Sequence, residues 1–243
     1  MESTLASDLL EACKVLEVED LTYEEIEKVL EYTKKKVTDP RGYMDDLKKA
    51  KLANITRGLS KQVDDYREKW KKPLGDNFGG TVGFGQANLN INGNNIKIEK
   101  IGASPEARNP QMPPKANDRY INRDRNNGNI PNFPRMLNHA EQDNLGEIAD
   151  GIDKVLGIDK NDKSSSAVQA RKSTTGQLYI YVDREVCANC TAGFDPNNIT
   201  LGPLIQFSQE YPNVEVVVLA PKKATDTKVI RKFKVKNSKL EEL

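Results

Sequence analysis

The chain has 243 residues, with 37 basic and 36 acidic side chains, one histidine and three cysteines. A mean hydropathy of −0.69 and a charged fraction of 30% fit a chain with no apolar run long enough to span a bilayer. The net charge of +1 does not announce a nucleic-acid partner, three cysteines are too few for a disulfide framework, and Met1-Glu2-Ser3-Thr4 lacks the basic stretch and apolar core of a secretory signal.

Residues 4–72 read as helical. Leu5, Leu9, Leu10, Cys13 and Leu16 recur at helical spacing, and Tyr23, Ile26, Leu30 and Val37 form a second pattern with a basic end at Lys34-Lys35-Lys36. Thr22 with Glu25 three residues on has the form of a capping box. After Asp39-Pro40 a longer helix is expected from about Tyr43 to Trp70, stopping before Pro73. Residues 1–72 are therefore read as a helical N-terminal segment and 73–243 as a separate domain.

From Thr81 to Ile101 apolar residues alternate. Leu89-Asn90-Ile91 and Ile96-Lys97-Ile98 flank Asn92-Gly93-Asn94, the pattern of two strands around a tight turn. Residues 103–136 hold Pro, Asn and Arg with almost no periodicity, and loops of that length are usually functional or disordered. A helix is expected from His139 to about Leu156, then a Lys/Asp/Ser-rich stretch from Asp159 to Ser166. Leu178–Val182 reads as a strand, Ile199–Tyr211 as helical, Val214–Leu219 as a buried strand and Lys228–Val235 as an edge strand. That order predicts an α/β fold, a three-layer α/β/α sandwich around one mixed sheet.

The residues that carry chemistry are His139-Ala140-Glu141 and Cys187-Ala188-Asn189-Cys190. One imidazole and two thiolates suit Zn²⁺, and three protein ligands leave a fourth position open. Glu141 is the type of group that moves protons for a water activated by a metal. Side chains at a helix start lean toward the N-terminus, so a metal beyond the first turn is within reach of both His139 and its neighbours, and Asn138 is placed to cap that turn. Cys187 and Cys190, three apart, are expected on one face of a second helix start. A rival reading comes from counting: Cys13, His139, Cys187 and Cys190 would suffice for a closed Cys₃His structural site. Cys13, however, lies in an apolar helical stripe where a small buried hydrophobe is the common outcome.

At these residues the chain resembles the cytidine deaminase-like superfamily, and most of all the deaminase domains at the C-termini of bacterial polymorphic toxins. The resemblance covers about Gly79 to Val235 and rests on His139-Ala140-Glu141, Cys187-x-x-Cys190 and the element order. It implies zinc held by His139, Cys187 and Cys190, with Glu141 shuttling protons in a hydrolytic deamination. Val186 stands where many members have proline. About 45 residues separate Glu141 from Cys187, longer than in compact members, and the polar stretch from Asp159 to Thr175 is read as an insertion.

The loop from Ala103 to Met136 carries Arg108, Lys115, Arg119, Arg123, Arg125 and Arg135, with Tyr120 and Phe133 interleaved. Basic groups among aromatics fit a phosphate backbone and an unstacked base, so nucleic acid is the expected substrate. Arg123, Arg125, Phe133, Arg135 and Asn138 are the candidate contacts. Cytosine is favoured over adenine on the resemblance. The resemblance also implies an effector, secreted or delivered into the cytoplasm of a target cell, with a cognate immunity protein. A deaminase of free nucleosides or nucleotides and a non-enzymatic module with the Cys₃His site are the alternatives.

Overall fold

A computed structural model describes residues 39–75, 78–113, 115–121, 123–124, 139–188, 190–194, 200–221 and 230–243. The expected helices between Leu5 and Val37, the capping box at Thr22 and Cys13 lie outside the described residues. The chain divides into two compact units, residues 1–58 and 59–243. In the first, Asp39 Oδ1 accepts the Gly42 N–H at 3.0 Å and opens helix α1, Pro40–Leu74, with Pro40 at a first-turn position where a missing N–H costs nothing. Residues 59–74 of that helix belong to the second unit. There Leu59, Val63 and Tyr66, spaced four and three apart, are buried.

The second unit is an α/β fold built on a mixed, open six-stranded sheet, with four α-helices among the described residues of the whole chain. Strands β1 (Val82–Ile91) and β2 (Asn94–Ala103) form an antiparallel hairpin. Its turn places Asn92 and Gly93 at φ 52° and 82°, the left-handed pair that matches the twist of the flanking strands. After the short β3 (Arg123–Asp124) come helix α2 (Ala140–Leu156), helix α3 (Ser165–Ser173) and strand β4 (Thr175–Val182). Then follow β5 (Thr200–Leu201), helix α4 (Pro203–Glu210), and strands β6 (Val214–Pro221), β7 (Ile230–Lys236) and β8 (Lys239–Glu242). The sheet order is β2-β1-β4-β6-β7-β8, with β4 and β6 parallel and all other neighbours antiparallel. Strands β3 and β5 pair separately.

The core lies between one sheet face and α2. Ala87, Leu89 and Ile91, Leu178, Ile180 and Val182, and Val214, Val216 and Val218 alternate along their strands and join Leu145, Ile148, Ala149 and Ile152 of α2 in one buried cluster. Glycines set how closely α2 sits. A Cβ at Gly85 would run into the Asn144 side chain, and one at Gly102 into the Ala140 carbonyl. Strand glycine admits this close approach, and it seats the first turn of α2 directly on β1 and β2.

Five expectations change. Helix α1 runs through Pro73 to Leu74 instead of stopping before that proline. The stretch from Asp159 to Thr175, read as an insertion, contains α3: Ser164 caps it, accepting the Ala167 N–H at 3.3 Å, and Ala167 and Arg171 supply a buried face. The helix expected over Ile199–Tyr211 starts only at Pro203; Thr200 and Leu201 pair with β3, and Gly202 is the cap. β7 is not an edge strand, because Asn237 and Ser238, at φ 46° and 58°, turn the chain back to lay β8 beside it. The fifth concerns the cysteines, described next.

Candidate metal centre

His139 is the N-cap of α2, with φ −88° and ψ 145°, and makes no side-chain capping bond. Its imidazole is thereby left to point elsewhere, while its carbonyl accepts the Asp143 N–H at 3.0 Å. Asn138, expected as the cap, is outside the described residues, and the capping position itself falls one residue later. Cys187 and Cys190 sit in a turn closed by the Cys190 N–H to the Cys187 carbonyl at 3.1 Å, not at a helix start as expected. The i,i+3 turn still brings the two sulfurs together, because a single turn suffices to juxtapose residues three apart.

The three side chains meet. Cys187 Sγ lies 3.3 Å from His139 Nδ1 and 3.7 Å from Cys190 Sγ, and all three ligand atoms lie within 4.8 Å of one another. Tetrahedral zinc with usual bond lengths would separate two sulfurs by about 3.8 Å and sulfur from nitrogen by about 3.6 Å. The soft donor set and these separations fit Zn²⁺.

Two frameworks hold the ligands in place. Asp183, which follows β4 and precedes the cysteine turn, accepts the Val82 N–H at 3.0 Å through Oδ1 and the Arg67 Nε–H at 2.7 Å through Oδ2. Arg67 also donates to the Phe78 and Gly80 carbonyls at 3.0 and 2.9 Å, so α1, β1 and β4 are tied at one point. On the far side of the turn, Gly202 donates to the Ala192 carbonyl at 2.9 Å, joining it to β5.

Glu141 is buried at 3% exposure, and removal from water pushes its carboxyl up to about 7; the Cys187 charge adds to the rise, and hydrogen bonds from its own backbone N–H and from Cys190 oppose it. Hydrogen bonding between the sulfurs draws Cys187 down to about 4, helped by His139, whereas Cys190 is pushed well above its usual value by that same bond and by burial. The bond to Cys187 raises the His139 imidazole. A buried carboxyl is thus coupled electrostatically to a group of three metal-type ligands.

The basic loop is partly spoken for. Arg108, 7% exposed, pairs with Asp143 at 2.6 Å. Arg119, also 7% exposed, pairs with Asp150, Asp153 and Glu210 at 2.8–2.9 Å, and Tyr120 is buried with its hydroxyl on Glu210 at 2.7 Å. These three residues, expected to face phosphate and bases, are engaged by carboxylates of the fold. Arg123 lies on β3; Arg125, Phe133 and Arg135 are outside the described residues. Sequence reasoning missed the pairings of Asp143 with Asn117 and of Arg67 with Asp183, 26 and 116 residues apart. Gly83, Gly85 and Gly102 within strands were the available signal of close packing. Compared with known proteins, the chain matches no family model, no curated protein and no solved structure.

Proposed function

We propose that the protein is a zinc-dependent hydrolytic deaminase of the cytidine deaminase-like kind, a three-layer α/β/α sandwich that converts cytosine to uracil in nucleic acid. The observation that carries this reading is the convergence of His139, Cys187 and Cys190, with the buried carboxyl of Glu141 two residues along the chain from His139 and coupled to these groups electrostatically. Zinc held there would act as a Lewis acid that renders a water molecule nucleophilic near neutral pH. Glu141 would take one proton from water and give it to the ring nitrogen as the oxygen adds to the amino-bearing carbon; it would then take the second proton from the hydroxyl so added and pass it to the amino group, which leaves as ammonia as the C–N bond breaks and the carbonyl forms. An effector role, with an immunity protein that closes the site, belongs to the same proposal.

Sequencing DNA and RNA from cells that express the chain tests it: C-to-T or C-to-U changes that vanish in Glu141→Ala support it, and an unchanged mutation spectrum removes it. The burial of Arg108 and Arg119 in ion pairs favours a second reading, deamination of free nucleosides. Ammonia release from cytidine but not from oligonucleotides selects that one.

A further inference from the structure

The first turn of α2 carries a carboxylate that the chemistry above does not use. Asp143 is wholly buried, one turn beyond His139, and its oxygens gather three donors from three separate parts of the chain. Oδ2 accepts the Ala103 N–H at 2.9 Å, at the end of β2, and the Arg108 guanidinium at 2.6 Å; Oδ1 accepts the Asn117 N–H at 2.7 Å. Arg108 in turn donates to the Ala103 and Pro113 carbonyls at 3.0 and 2.8 Å. The neighbouring Gln142 donates to the Asn117 carbonyl at 3.0 Å, so one peptide of the loop is gripped from both sides by consecutive residues of the helix. Gly102 lets β2 press against the Ala140 carbonyl on the same turn. Nothing comparable comes from His139, which caps the helix without a side-chain bond.

We propose that Asp143, with Arg108 as its counter-ion, is the positioning carboxylate of the metal centre. It fixes the first turn of α2 along the helix axis and so fixes His139 Nδ1 against the Cys187–Cys190 turn. The inference rests on the reading of His139, Cys187 and Cys190 as zinc ligands, and it holds whichever substrate the protein takes. Asp143→Asn removes the charge opposite Arg108 and supplies N–H groups where two donors point, so the turn must shift or rotate. Groups that orient metal ligands typically change affinity by about 10–100-fold when altered.

The test is zinc affinity by competition with a chromogenic chelator, together with the visible absorption bands of the Co²⁺-substituted protein, on the full chain. Asp143→Asn is expected to weaken zinc binding by that factor and to shift the Co²⁺ bands, while circular dichroism below its melting temperature matches the wild type. The milder Arg108→Lys, which keeps the charge, is expected to restore most of the affinity relative to Arg108→Met. Wild-type affinity and an unshifted Co²⁺ spectrum in a folded Asp143→Asn or Arg108→Met variant overturn the inference and leave the zinc reading intact. Failure of the wild-type protein to bind either metal overturns the zinc reading and this inference with it.

Discussion

Helix α2 carries a polar cluster at each end, and the two are built on opposite principles. Near its C-terminus Asp153 is 2% exposed and bonded by Arg171 at 2.9 and 2.8 Å and by the Tyr211 hydroxyl at 2.8 Å, with Arg119 also at 2.8 Å. Burial alone would raise its pKa, but the hydrogen bonds of Arg171 and the charge of Arg119 hold it below the ordinary carboxylate range. Near the N-terminus Glu141 is as deeply buried, and that burial, which no arginine among the described residues offsets, raises its carboxyl to about 7. Saturation marks the first cluster as architecture. The second leaves a carboxyl near neutrality beside three groups that could hold a metal ion. The same helix therefore separates what holds the fold from what can react.

That contrast breaks first at Glu141. Glu141→Gln keeps shape and burial but removes the proposed proton carrier, so the proposed deamination should fall on the order of 10³-fold while the proposed single zinc per chain is retained. Metal analysis beside an ammonia assay checks it; appreciable turnover in the zinc-loaded variant removes the role. His139→Ala, in contrast, should lose the zinc itself.

The opposite end should respond in stability alone. Arg171→Met strips Asp153 of its bidentate partner, and breaking a buried pair costs roughly 3–5 kcal/mol. Arg119 remains beside Asp153, so the lower end is expected, a drop on the order of 10 °C in melting temperature. Zinc stoichiometry should not move. If it does, the two clusters are not separate in the way their partners suggest.

The metal-free protein gives a third comparison. Its Glu141 carboxyl is raised in the folded state, so the stability it lends is full below the unfolded value of 4.5 and is lost as pH rises through about 7. Glu141→Gln has no such loss. Stripped of metal, the variant should therefore gain on the wild type between pH 5 and pH 8, by about 3 kcal/mol at the upper end. Urea unfolding at the two pH values measures it, and equal differences at both would show that the carboxyl is not shifted by its site.

Much of the reactive end was legible in the chain, and little of the saturated end was. His139, Glu141, Cys187 and Cys190 are marked by residue type and short spacing, and the α2 boundary at Leu156 follows from periodicity and from Gly157 just beyond it. The hairpin was equally plain, because Asn92-Gly93 is a local signal. Arg119 and Arg171 are different: their carboxylate partners lie 18 to 91 residues away, and a run of arginines looks the same whether it faces phosphate or Glu210. Tertiary pairing decides that, and a single sequence does not record it. The turn at Cys187 failed for a local reason, since i,i+3 spacing serves a turn as well as a helix.

The smallest expected effect tests the far terminus of α2. Gly157 ends the helix at φ 69°, where its N–H reaches the Lys154 and Asp153 carbonyls. No atom lies within contact distance of a Cβ built there, so Gly157→Ala meets no steric obstacle, only the left-handed backbone. That conformation costs an L-residue roughly 1–2 kcal/mol. Melting should fall by a few degrees while zinc affinity and Co²⁺ bands stay at wild-type values, because Asp143 and its three donors anchor the first turn independently of the last. A weakened metal centre in Gly157→Ala would mean instead that α2 moves as one rod, and that the division between its two ends is one of chemistry but not of mechanics.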